Sequence, residues 1–209
     1  MLLGFGTEAA AVAAMFHIVN HATFKAALFM TAGIIDHEAG TRSIARLGGL
    51  RRLMPITFVI GTIASLSMAG VAPLNGFLSK ELMLEAAAHT SWMGHPYLLG
   101  VLATVGAIFS VCYSLRFVWQ VFFGPERDDY PHHPHDPGFG LWVAPAFLVV
   151  LVVLIGLFPN LTAGWLVEAS ASAVTGGHPH PHFALWHGVT TALKLSAIAL
   201  EPATVLKTN

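Results

Sequence analysis

Residues 15–35, MFHIVNHATFKAALFMTAGII, limit most strongly what this chain can fold into. The run is apolar enough for a bilayer, yet it carries His17, Asn20, His21 and Lys25. In hydrocarbon the backbone must satisfy its own hydrogen bonds, so the run is expected to be a helix. His17, His21 and Lys25 recur at every fourth position, which places them on one helix face, a turn apart. Such a row has to turn toward protein or a polar cavity, and ionisable residues at this depth mark a functional site by default.

The rest of the sequence places that helix in a membrane protein. Of 209 residues, 55% are hydrophobic and only 10% charged, against about 25% charged in soluble domains. The mean hydropathy is +0.68. These values define a multi-pass protein of the cell membrane, with the lipid bilayer as its solvent. A formal net charge of -1 and the lack of a long basic tract exclude a nucleic-acid partner. The single cysteine, Cys112, excludes an internal disulfide and any multi-cysteine metal centre. His132, His133 and His135, and the later run from His178 to His182, sit among prolines without cysteine partners, so no metal site is assigned to them. No cofactor is expected. The opening MLLGFGTEAA lacks the basic start of a signal peptide and reads as the end of an earlier apolar helix, so the chain is expected to be part of something longer.

In chain order, residues 8–35 form the first span, roughly 40 Å of helix against a core of about 30 Å. Thr7 can cap its start, and Asp36, His37 and Glu38 are expected to end it in water. Lys25 then lies about 15 Å from that end, too deep to snorkel. The loop 36–54 carries Arg42, Arg46, Arg51 and Arg52 and is cytoplasmic by the positive-inside rule. Residues 55–88 are a second span, interrupted at GVAPLNG. Pro73 has no N–H and clashes with the carbonyl of Ala69, so with Gly70 and Gly76 it is expected to break the helix in mid-membrane. Broken backbone is tolerated there only where protein buries it or it lines a polar cavity, and such interruptions point to ion paths. Lys80 and Glu81 follow in the next half-helix.

Residues 97–123 make a third span and 124–140 a Pro/Gly/His-rich polar loop. A fourth span covers 141–158, with Pro145 tolerated near its start. Residues 159–177 form an interfacial helix or re-entrant turn, and 183–200 a weaker fifth span interrupted by Lys194. The expected organisation is a transporter core at 1–123, a polar loop at 124–140 and peripheral transmembrane helices at 141–209. The fold class is an all-α polytopic bundle with one broken helix.

The buried charges suggest proton transfer. Neutral imidazole accepts a proton at one nitrogen and donates at the other, and its unperturbed pKa of about 6.5 is close to physiological pH. Two imidazoles on successive turns can pass a proton through bridging water. Lys80 stands near the positive end of its half-helix, which opposes its charge, and beside Glu81, which supports it. Movement of a nearby charge would switch a lysine so placed. Taken singly, His17 and His21 also fit structural roles as helix–helix hydrogen-bonding partners. The three-residue register beside a broken span favours the relay.

HIVNHATFKAALFMTAGI, GGLRRLMP and SMAGVAPLNGFLSKE together resemble the proton-translocating antiporter family, which includes antiporter-like subunits of respiratory complex I and the large subunits of Mrp-type Na+/H+ antiporters. DHEAGTR and PLNGFLSKE are most similar to the Mrp A-type subunits. The resemblance is strong over residues 14–123 and looser to 187. It implies that His17 and His21 belong to a central hydrophilic axis, Lys25 is the axis lysine, and Lys80 is the lysine of the second broken helix on the exit side. Asn20 and Glu81 would modulate that path. The family fold is a bundle of fourteen or more helices with two inverted five-helix repeats. This chain would supply most of the second repeat, about half of such a bundle. The first repeat, with its Glu–Lys pair, is missing, and Lys194, Glu201 and Pro202 depart from the pattern. A fragment, a split gene product or a frame-disrupted copy is therefore expected.

The function implied is that of one component of a secondary transporter, not of an enzyme. It would move H+ along His17, His21, Lys25 and Lys80 in exchange for Na+, with K+ as a secondary candidate and other subunits of a multisubunit complex as partners. The alternatives are an antiporter-like subunit of complex I or of a membrane-bound hydrogenase, and an assembly fragment that transports nothing.

Overall fold

The computed structural model describes residues 2–127 and 130–177, together with the isolated positions 183, 194, 197 and 198. All regular structure among them is helical. A short 3-10 turn leads into α1 (Glu8–Ala39), followed by α2 (Leu50–Leu53), α3 (Pro55–Ala69), α4 (Asn75–Ala88), α5 (Leu98–Val118), α6 (Phe139–Leu157) and α7 (Trp165–Thr175). Three helices among the described residues are long and apolar enough to cross a membrane: Glu8–Ala39, Leu98–Phe123, which includes a π-helical turn after α5, and Phe139–Leu157. The half-helices α3 and α4 together supply a further, broken path. The chain is a multi-pass membrane protein.

Helix α1 is the spine, packed by α3, α4, α6 and α7. Thr7 caps its start, its hydroxyl accepting from the Ala10 amide at 3.2 Å. Small residues on its buried side, Ala10, Ala13, Ala14 and Ala27, admit close neighbours. Between membrane helices small side chains are what allow backbones to approach. Gly61 of α3 does the same from the other side: a methyl group there would lie 2.9 Å from the Thr31 methyl of α1. At one end Ile34, Ile35, Leu50, Met54, Val121 and Phe122 pack together. At the other, Phe16 meets Phe77, Ile155 and Val167, and Phe183 stacks on it at 4.3 Å.

One expectation from sequence needs correction. Helix α1 does not stop in water at residue 36; it runs another turn to Ala39 and ends at Gly40. Glu38 is buried there, with His37 Nδ1 at 3.0 Å and His135 Nδ1 at 3.3 Å from its two carboxylate oxygens. The polar loop 124–140 is docked on the start of α3 and on the 44–49 segment. Asp136 receives the Ile56 and Thr57 amides at 2.8 and 3.0 Å and the Thr57 hydroxyl at 2.9 Å. Arg127 donates to the Ala45 carbonyl, and the Tyr130 hydroxyl donates to that of Gly48. Partial burial raises the Tyr130 phenol above its ordinary pKa. Within the 159–177 segment, α7 is packed on α1 through buried Val167 and Ala171. The expected fifth span at 183–200 and the 178–182 run lie, apart from the isolated positions, outside the described residues.

Candidate functional site

The site begins where the chain leaves α3. Helix α3 ends at Ala69, and Gly70 adopts φ +83°, a left-handed turn that glycine enters without a Cβ penalty. The Gly70 amide reaches the Ser67 carbonyl at 2.9 Å, and the Val71 amide the Leu66 carbonyl at 3.0 Å. The next carbonyl, Met68, has no backbone donor among the described residues, and neither does Ala69, whose helical partner would be the amide that Pro73 lacks. Side chains take over. Lys80 Nζ donates to the Ala69 carbonyl at 2.8 Å and to Ser110 Oγ at 3.2 Å, and Ser110 Oγ donates to the Met68 carbonyl at 3.1 Å. A lysine from one half-helix thus closes the negative end of the other.

The restart at α4 is held differently. Asn75 is fully buried, and its amide group donates to Asn20 Oδ1 at 3.1 Å and to Thr23 Oγ1 at 3.0 Å. Its side-chain oxygen accepts from Ser67 Oγ at 2.6 Å, its backbone carbonyl accepts from Asn20 Nδ2 at 3.3 Å, and Ser67 Oγ in turn accepts from the Gly76 amide. Gly76 lies inside α4 and not in the break, and its task is close approach: a Cβ there would sit 1.8 Å from the Ser67 carbonyl oxygen. Helix α6 presses on the same point, since a Cβ on Gly156 would fall 2.2 Å from the Pro73 carbonyl oxygen.

Beside this break lies a cavity of about 420 Å³, lined by α1, α4, α5 and the end of α3. His17, His21, Lys25 and Lys80 all line it. The His17 and His21 rings are 5.5 Å apart between centroids. His17 Nδ1 is 3.2 Å from Ser79 Oγ, and Ser79 Oγ donates to the Gly76 carbonyl. Lys25 Nζ lies 5.6 Å from the centre of the Tyr113 ring, within the range of cation–π attraction. His21 is exposed, so the cavity opens on the side of the row. Among the described residues, no carboxylate lines this cavity.

Two residues singled out from sequence stand apart from this cavity. Asn20 is turned to the opposite task of binding Asn75, and Glu81 is buried outside the lining. Among the described residues, no group of three or more His, Cys, Asp or Glu side chains is arranged to hold a metal ion. Ser67, Asn75, Ser79, Ser110 and Tyr113 belong to the site as well, without having been marked as site residues by sequence. A signal existed for Asn75, in the polar residue beside the Pro–Gly break. Ser110 and Tyr113 carried none, because only packing brings α5 across from Lys80 and Lys25.

A row of ionisable residues beside a broken helix, sharing one cavity inside an all-helical membrane bundle, is the pattern by which membrane transport domains are recognised. The comparisons with known proteins narrow this. The family described as NADH:quinone oxidoreductase/Mrp antiporter, TM, matches residues 1–110, and the chain belongs to it. It is 47% identical over 207 residues to a probable K(+)/H(+) antiporter A/B subunit of Rhizobium meliloti (strain 1021), covering 96% of this chain and 20% of that one. It is 41% identical over 201 residues to the A subunit of the Na(+)/H(+) antiporter of Bacillus subtilis (strain 168), covering 90% and 25%. The chain therefore spans about a fifth to a quarter of these relatives. A chain of the Mrp complex from Dietzia sp. DQ12-45-1b superposes with a TM-score of 0.85 at 35% identity, over 98% of this chain and 22% of that one. A chain of the membrane-bound sulfane sulfur reductase, an archaeal respiratory membrane complex, does so at 0.72 and 29%, over 96% and 33%. The chain is thus similar to a part of antiporter A-type subunits.

Proposed function

We propose that this chain forms a proton-conducting section of a multisubunit cation/proton antiporter. His17, His21 and Lys25 carry H+ along one face of α1, and Lys80 links that row to the broken helix, in exchange for Na+ or K+. The observation that carries this reading is the single cavity lined by all four residues, brought together from α1 and α4. The two rings are close enough for one water to bridge them, and the cavity is large enough to hold several, each needing about 30 Å³. Asn20 and Glu81 act on the path from outside the cavity, Asn20 by fixing the geometry of the break. The remaining wall, including any carboxylate to balance the two lysines, comes from other elements of the complete antiporter.

The test is cation-driven proton movement in inverted vesicles carrying the complete complex. Lys25→Ala and Lys80→Ala are each expected to remove most of the exchange while the complex still assembles. Exchange at the wild-type rate in both variants would show that the row is not the proton path. A change in complex yield with normal flux per complex would assign these residues to assembly.

A further inference from the structure

We propose that the end of α3 is an alkali-cation site, formed by the Ala69 and Met68 carbonyls with the Ser110 hydroxyl, in which the Lys80 ammonium and a monovalent cation are alternative occupants. The inference rests on the antiport reading above and supplies the place where the exchanged cation binds.

The oxygens have the right character. Hard monovalent cations are held by carbonyl and hydroxyl oxygens, and unwound backbone at a half-helix C-terminus is where transporters coordinate them. Here Pro73 leaves the Ala69 carbonyl without its helical donor, and the turn at Gly70 leaves the Met68 carbonyl likewise. Both carbonyls lie at the negative end of the α3 dipole. Ser110 adds its hydroxyl oxygen from α5, 3.2 Å from Lys80 Nζ, with the Tyr113 hydroxyl 3.5 Å beyond. The neighbouring cavity has space for waters to complete a coordination shell.

A cation already occupies this position, namely the Lys80 ammonium, 2.8 Å from the Ala69 oxygen. Its aliphatic stem lies against Gly70, where a Cβ would come within 2.6 Å of the Lys80 Cδ. The bare glycine therefore lets the lysine lie along the turn and reach the carbonyl. The side chain is flexible and lines the cavity, so it has a place to move when it leaves the oxygens. Replacing a +1 ammonium with a +1 ion leaves the charge at the α3 terminus unchanged, while simultaneous occupancy would place two like charges within contact distance. Mutual exclusion of this kind ties binding of the cation to displacement of the lysine that the proton path uses.

The experiment measures binding of 22Na+ to the purified complete complex at one fixed pH, alongside the KM for Na+ in vesicles. Lys80→Met removes the competitor and should raise 22Na+ affinity several-fold even though exchange is lost. Ser110→Ala in the wild-type background should raise the KM for Na+ roughly tenfold, the weight of one lost oxygen partner, and Ser110→Thr should restore it. In the double variant, Ser110→Ala should cancel the gain made by Lys80→Met. Unchanged 22Na+ affinity in Lys80→Met, or a gain that survives Ser110→Ala, overturns the site while leaving the proton relay standing. If Lys80→Met does not assemble, Ser110→Ala and Ser110→Thr decide alone: equal KM values for Na+, K+ and Li+ in both variants and the wild type overturn it.

Discussion

The two ends of α3 meet the same electrostatic need in opposite ways. At its start, free amides receive the Asp136 carboxylate from a loop some 80 residues further along the chain. At its end, free carbonyls receive the Lys80 ammonium from the next half-helix and a hydroxyl from α5. Acid on the positive end and base on the negative end is what the helix dipole favours. The difference lies in the surroundings. Asp136 sits in a docked loop and ties that loop to the start of α3. Lys80 sits beside a cavity that also contains His17, His21 and Lys25. A charged cap becomes a candidate for transport when its partner has somewhere to go and other ionisable groups share the space.

The comparison can be broken at either end, and the largest effects belong to the broken end. Gly76→Ala would drive a methyl into the Ser67 carbonyl, where backbone and not a side-chain tip must give way. It should cost about 3 kcal/mol or more, read as loss of assembled complex and a lowered Tm in detergent. Wild-type yield and Tm would show that α3 and α4 are not held together there. Asn75→Ala comes next, because it removes at once the side-chain partner of Asn20 Oδ1, of Thr23 Oγ1 as acceptor and of Ser67 Oγ as donor. A cost of about 1–3 kcal/mol per buried group left unsatisfied sets the scale, and Asn75→Asp tests whether shape alone suffices.

At the other end the effects should be smaller. Asp136→Ala removes an N-terminal cap, typically about 0.5–2 kcal/mol. Protease cutting in the 124–140 loop should accelerate while exchange per assembled complex stays near wild type. A large loss of exchange with an intact loop would mean that the two ends of α3 are coupled. The smallest effect concerns Tyr130, whose phenol is held above its ordinary value by burial. Its neutral form is the one the fold favours, so the contact with Gly48 is complete below pH 10 and weakens as pH rises through the raised value. Loop cutting followed from about pH 8 to 11 should rise at the top of this range, and Tyr130→Phe should abolish that pH dependence.

The sequence by itself determined the membrane class, the helical fold and the place of the interruption. Hydropathy, helix period and the missing proline amide are local properties that act before any neighbour arrives. The fourfold spacing of His17, His21 and Lys25 likewise set them on one face. Tertiary structure alone decided what faces them. Ser110 lies 30 residues from Lys80 and Asn20 55 from Asn75, and no local pattern pairs residues so distant. The same holds for Glu38, which looks like a solvated charge in sequence and is buried because His37 and the docked loop's His135 close over it. That the Ala69 carbonyl loses its helical donor follows from Pro73, whereas which side chains reach it depended on how α4 and α5 pack.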